Sequence, residues 1–174
     1  MNYFTKEELR RLFGIAYENN RLHHLCMVTM FFSGLRVSEA IAIRGADVCD
    51  GQLSVRRLKK SRPTMHDLKC SSDPLFDQTP LIQIAKGNPG RLFPFSRQRV
   101  DQFVRRYGAM AGLHPAKCHS HAFKHSICML LWDETHDLNA VQDHVGHKEA
   151  SSTLVYMRQD SAAKARQVVA GLEI

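Results

Sequence analysis

The sequence predicts a mainly α-helical domain with one small antiparallel β-sheet, an α+β fold. Three observations carry that expectation: helix-start signals followed by apolar residues at helical spacing, an apolar run without glycine or proline, and one short region that alternates as a strand does. Thr5 and Glu8 form a capping-box pair, and Leu9, Leu12, Phe13 and Ala16 follow at helical spacing, so a first helix is predicted over residues 6–18. Arg21 to Phe32 is apolar-rich and reads as a second, largely buried helix that Ser33-Gly34 ends. Ser38 to Ile43 reads as a short third helix, which puts Arg36 at a rigid junction. Asp50-Gly51 is a turn signal, Gln52 to Leu58 alternates, and Ser61-Arg62-Pro63 marks another turn, so Asp47 to Leu68 is predicted to hold a hairpin or three-stranded sheet. Residues 69–95 are proline-rich and weakly periodic, with one short helix near Leu75 to Ala85. Ser96 begins a stronger helix, with Val100, Phe103, Val104, Tyr107 and Met110 on one face and Arg97, Arg99, Arg105 and Arg106 elsewhere. After Pro115, Ser120 to Trp132 reads as a helix with Ile127, Leu130 and Leu131 facing inward. A short helical stretch started by Ser151 or Ser152 then carries Tyr156, and Ala162 to Ala170 forms a tail with little apolar surface of its own.

Length and composition narrow the classes. A chain of 174 residues with 44% hydrophobic content buries one core and reads as a single domain over residues 1–174. Its 24 Lys+Arg against 17 Asp+Glu give a net charge of +7, which favours a polyanionic partner through counterion release. The five cysteines, Cys26, Cys49, Cys70, Cys118 and Cys128, are odd in number and scattered, unlike the paired framework of a secreted scaffold, and point to a reducing cytoplasm. The amphipathic N-terminus MNYFTKEELRR is not a signal peptide, and the longest apolar stretch, Leu25 to Phe32, falls short of the roughly 20 residues that span a bilayer.

The chemistry concentrates near the C-terminus. CHSHAFKHS places His121 and Lys124 at i, i+3 on one face of a helix's first turn, where the helix dipole favours an anion. DHVGHKEASSTLVYMR adds Gly146-His147 and, nine residues on, Tyr156. A tyrosine attacks a phosphodiester only where nearby cations absorb the charge on the non-bridging oxygens and a histidine assists proton transfer, and this grouping fits that requirement. Far upstream stand Arg36 in SGLRVSEA and Lys59 and Lys60 in RLKKSRP.

These stretches resemble the catalytic domain of tyrosine recombinases, the family of phage integrases and bacterial site-specific DNA recombinases. The first family box, Gly-Leu-Arg followed by Ser-Glu, stands as Gly34-Leu35-Arg36-Val37-Ser38-Glu39. The second, His-x-x-Arg, then Gly-His, then Tyr, stands as His121, Lys124, Gly146-His147 and Tyr156, with lysine where the family has its second arginine. RLKKSRPTMHDL is also similar to the short recombinases that invert fimbrial promoter segments. The resemblance runs from about Thr5 to about Arg166 and implies the tyrosine recombinase catalytic-domain fold without the N-terminal core-binding domain of longer relatives. It also implies strand breakage and rejoining in double-stranded DNA, no cofactor and no metal, and a homotetramer on DNA joined through the C-terminal helix. Tyr156 would be the nucleophile, Arg36 and Lys124 the holders of non-bridging oxygens, and His121 and His147 the groups assisting proton movement. Lys60, or Lys59, would be the general acid toward the departing 5′ hydroxyl, with Glu39 and Asp47 behind the site. A lysine is a point charge where arginine offers a planar fork, so the substitution bears directly on rate.

Other readings use the same residues. Arg56, Arg57, Arg62, Arg97 and Arg99, with whichever of Lys59 and Lys60 is not catalytic, read as contacts to the DNA backbone or as a solvated basic face. Cys118, His114, His119, His121 and His125 form a dense set of zinc-ligand types, with no second pair at a finger spacing. A topoisomerase would use the same tyrosine chemistry, and a DNA-binding regulator with an inactive site would use none of it.

Overall fold

A computed structural model describes residues 3–58 and 61–148 of the chain. Its order is α1 (Lys6–Asn19), α2 (Arg21–Phe32), α3 (Val37–Ala40), β1 (Val48–Cys49), β2 (Gln52–Val55), β3 (Thr64–Asp67), α4 (Pro80–Ala85), α5 (Arg97–Met110), α6 (His121–Thr135) and α7 (Leu138–Val145). This is the mainly helical fold with a small sheet that the sequence predicts. The expectations for Lys59, Lys60, Tyr156 and the tail from Ala162 lie outside the described residues.

The caps behave as their residue types dictate. Thr5 Oγ1 accepts from the Glu8 amide at 3.2 Å while Glu8 Oε2 accepts from the Thr5 amide at 2.8 Å, closing the box that starts α1. Ser96 caps α5 by accepting from the Arg99 amide. At the Asp50-Gly51 turn both residues have positive φ, 50° and 77°, the twist a two-residue hairpin needs. It joins β1 to β2 with Cys49 opposite Gln52, and β2 continues antiparallel to β3 with Leu53 opposite His66 and Val55 opposite Thr64.

Helix α2 has almost no amphipathic face because it is the central element: every residue from His23 to Phe31 is buried. It packs against α1, α5 and α6. Phe13 of α1, fully buried, lies within about 6 Å of Phe31, Phe76 and Phe123 ring to ring and anchors this junction. The Phe13→Ala chain is expected to lose about 3–5 kcal/mol of stability, read from its denaturation midpoint, because the cavity would sit between helices that cannot collapse into it.

Three details differ from the sequence expectation. The helix expected near Leu75 to Ala85 is split into a single 3₁₀ turn, Pro74–Phe76, and α4. Asp77 intervenes, its carboxylate accepting from the Ser71 and Thr79 amides, and Pro80 then restarts the helix without an amide of its own. The third helix is one turn long and already finished at Ile41. The third difference is α7, a helix with no counterpart among the expected elements: Asp137 caps it, and Leu138, Val141 and Val145 mark its inner stripe. Among the described residues no helix is long and apolar enough to cross a membrane.

Candidate active site

Arg36 owes its position to a backbone corner. Gly34 has φ +56° between α2 and α3, and a Cβ there would meet Val145 Cγ1 at 2.8 Å, so only glycine lets α7 approach this close. Arg36 follows in extended conformation at the start of α3. Its amide donates to Glu39 Oε2 at 2.8 Å and its Nη1 to Glu39 Oε1 at 2.9 Å, with a longer bond to Ser61 Oγ at 3.4 Å. The guanidinium is thereby aimed from one end and keeps part of its surface open, 22% exposed.

Glu39 is the hub beneath it. The carboxylate is fully buried and also accepts from the Leu58 amide and from Arg57 Nη1. Burial would push its pKa up, but the Arg36 and Leu58 amides and the Arg57 charge outweigh that and hold it below the ordinary carboxylate range. It stays ionised and fixes two arginines.

Lys124, one turn into α6, is 1% exposed and donates from Nζ to the carbonyl of Val145 at 3.2 Å. Burial first, then the positive charges of Arg36 and Arg57, push its amine down to about 8. The carbonyl it reaches closes α7, immediately before the Gly146-His147 step. Gly146 has φ +69°, and a Cβ there would meet the Arg62 carbonyl at 2.5 Å; the Arg62 amide in turn donates to the Gly146 carbonyl at 2.9 Å. The corner is thus docked on the loop between β2 and β3, and it delivers His147 beside the same cations. Burial, followed by Lys124, Arg36 and Arg57, pushes the His147 imidazole down to about 4, so at neutral pH it is an uncharged hydrogen-bonding group.

Arg36, Lys124 and His147 therefore come from three elements into one electrostatic group around Glu39. His121 stands at its margin: exposed at the first residue of α6, with its ring 4.5 Å from that of His125. His125 is pushed down to about 4 by burial, then by His121, His119 and Lys124. Chemically, the group offers a fixed fork, an ammonium and a neutral imidazole to an anion.

Two expectations need correction. Arg57, grouped with the DNA-facing residues, has a fully buried side chain committed to internal acceptors. The strand alternation carries it inward with Leu53 and Val55, a parity readable in the sequence once Gln52 is known to face out. Asp47, placed behind the site, instead accepts from the Arg44 amide at 2.8 Å and caps the single turn Gly45–Asp47. Arg56, Arg62, Arg97 and Arg99 are exposed. Among the zinc-ligand types, Cys118 is buried and donates to the His114 carbonyl, and His114 Nδ1 accepts from the Ala116 amide.

Comparison with known proteins gives a consistent picture. Residues 2–163 match the phage integrase family model. The chain is 23% identical over 172 residues to the tyrosine recombinase XerH of Campylobacter jejuni, covering 91% of this chain and 49% of the relative. It is 24% identical over 177 residues to the type 1 fimbriae regulatory protein FimE of Escherichia coli, 92% and 87%. It is 30% identical over 151 residues to the tyrosine recombinase XerD of Xanthomonas campestris, 73% and 45%. The chain thus spans about half the length of the Xer relatives and most of FimE. Among solved structures it resembles the XerH site-specific recombinase bound to difH substrate in a pre-cleavage complex, with a TM-score of 0.72 at 22% identity over 94% of this chain and 52% of that one. A lambda integrase tetramer bound to a Holliday junction gives 0.69 at 19% identity, over 87% and 47%.

Proposed function

This chain belongs to the phage integrase family, and on that premise we propose that it breaks and rejoins strands of double-stranded DNA through a 3′-phosphotyrosyl intermediate, as a site-specific recombinase. The observation that carries the reading is the convergence of Arg36, Lys124 and His147 on one buried carboxylate, Glu39. Tyr156 Oη attacks phosphorus, its bond to phosphorus forms as the bond to O5′ breaks, the phenolic proton passes toward His121 or His147, and O5′ takes a proton from Lys60, or from Lys59. Arg36 and Lys124 hold the non-bridging oxygens while charge builds on them. The ester conserves the energy of the broken bond, so a second strand's 5′ hydroxyl reverses the step without a nucleotide cofactor. Four protomers on two duplexes, joined through the C-terminal helix, would complete exchange.

The test uses the whole chain and a pool of nicked duplexes of randomised sequence, in which the fragment released by cleavage diffuses away. A denaturant-resistant protein–DNA adduct is expected, and its sequenced DNA supplies the substrate for all later assays. Failure of any sequence to become covalently attached would contradict the reading. With that substrate in hand, a two-site recombination assay beside a supercoil-relaxation assay separates exchange from simple relaxation.

Lysine at position 124 makes the site titratable where an arginine would not be. At limiting DNA, adduct formation reports the free protein's ionisation. It is expected to fall more than about tenfold from pH 7 to 9.5 as Lys124 loses its proton, whereas Lys124→Arg holds its own neutral-pH rate. That rate is expected to be no higher than the original at pH 7, because a guanidinium overpacks a site shaped for an amine. A large gain with Lys124→Arg would contradict a pocket adapted to lysine.

A further inference from the structure

We propose that Arg57 is a positioning residue of the strand-cleavage site, a buried fork that locks the Arg36 corner to the His147 corner and sets the charge the two corners share. The proposal rests on the recombinase reading above but concerns a residue outside the set drawn from the family boxes. Its Nε donates to Thr64 Oγ1 at 2.8 Å, its Nη1 to the Gly34 carbonyl at 2.9 Å and to Glu39 Oε2 at 3.2 Å. Its Nη2 donates to the Ser33 carbonyl at 2.8 Å, to His66 Nε2 at 3.0 Å and to the His144 carbonyl at 3.1 Å.

These acceptors lie on four separate pieces of chain. Ser33 and Gly34 form the corner two residues before Arg36; Glu39 holds Arg36 directly; His144 closes the turn of α7 that leads into His147; Thr64 and His66 belong to β3. No other side chain among the described residues is shown to join all four. The planar fork is what makes this possible, since five donors fixed in one plane reach acceptors in several directions while an ammonium has three around a point. His66 accepts because it is neutral, pushed down to about 3 by burial, then by His144, Arg57 and Lys124. The Arg57 charge is also felt by Lys124 and His147, the two groups that would meet the phosphate.

The test compares Arg57→Lys, Arg57→Met and Thr64→Val with Val104→Ala, a core substitution in α5 outside the network, all at temperatures well below each melting point. Two readouts are taken with the trapped duplex: the adduct-forming rate at saturating protein, and the pH of half-loss on the alkaline side at limiting DNA. That limb belongs to Lys124, which Arg36, Arg57, Glu39 and Cys128 influence and near which the imidazoles of His66, His125, His144 and His147 lie. Arg57→Lys is expected to lower the saturated rate by about ten- to a hundredfold with DNA affinity nearly unchanged, a loss of orientation rather than of binding. Arg57→Met is expected to raise the alkaline midpoint by about half a unit or more, since one positive neighbour is gone. Thr64→Val, which removes the Nε acceptor together with the 2.8 Å bond between Thr64 Oγ1 and His66 Nε2 and leaves the other Arg57 acceptors in place, keeps the fold if the Arg57 variants do not and is expected to slow the saturated rate several-fold. Rates equal to that of Val104→Ala, or an alkaline midpoint that stays at the wild-type value in Arg57→Met, would overturn the proposal; for unfolded Arg57 variants, an unchanged Thr64→Val rate does so. A wild-type chain that forms no adduct fails the recombinase reading itself, a distinct result.

Discussion

The Tyr156→Phe chain is expected to bind the selected duplex as the wild type does and to form no covalent adduct with it. Phenylalanine keeps the ring and removes only the oxygen that would become the phosphate ester, so the loss should be complete rather than graded. The remaining groups have no substitute nucleophile to offer. Arg36 already serves Glu39, Lys124 is protonated at neutral pH, and a histidine attack would leave an acid-labile adduct distinguishable from a phosphotyrosine by its stability in dilute acid. Retention of an acid-stable adduct in this variant would remove Tyr156 from the mechanism while leaving the cationic site in place.

Arg36→Ala is the second large effect. Loss of a preorganised donor at the developing oxyanion is expected to slow adduct formation by about a hundred- to a thousandfold. The structural cost should be smaller, because Glu39 keeps three donors, the Leu58 amide, the Arg36 main-chain amide and Arg57 Nη1, and so is not left as an uncompensated buried charge. A melting temperature close to wild type together with the rate loss would place the effect in the chemistry. Arg36→Lys should recover little, since an ammonium cannot both grip a phosphate oxygen pair and hold the bond to Glu39. A variant with a collapsed fold and unchanged specific activity per folded molecule would contradict this division of labour.

Much of this was open to inspection in the sequence, and the remainder has physical reasons for being hidden. The starts of α1 and α5 are written in Thr5, Glu8 and Ser96 because capping is local chemistry, and the β1–β2 turn is written in Asp50-Gly51 for the same reason. Central α2 showed itself as an apolar run lacking a polar face. Helix α7 was harder to see, a short stretch in which only Leu138, Val141 and Val145 are large and apolar, although Asp137 and Gly146 bracket it. The fate of Arg57 depends on Glu39, eighteen residues away, and on carbonyls from two other elements, so composition alone grouped it with the exposed basic residues around it. The same is true of Lys124. Its position in a motif was readable, but its near-complete burial exists only in the fold, and so does its depressed pKa, which that burial causes first and the Arg36 and Arg57 charges add to. Asp47 is the opposite case: a local turn claims its carboxylate, which accepts from the Arg44 amide and is not available to a distant site.

The mechanism is decided by which atom becomes joined to DNA. After nuclease digestion of the trapped adduct and proteolysis, mass spectrometry is predicted to find a short nucleotide remnant attached through its 3′ phosphate to the peptide containing Tyr156, with fragmentation placing it on that side chain. A remnant on any other residue, or one joined through a 5′ phosphate, would contradict it.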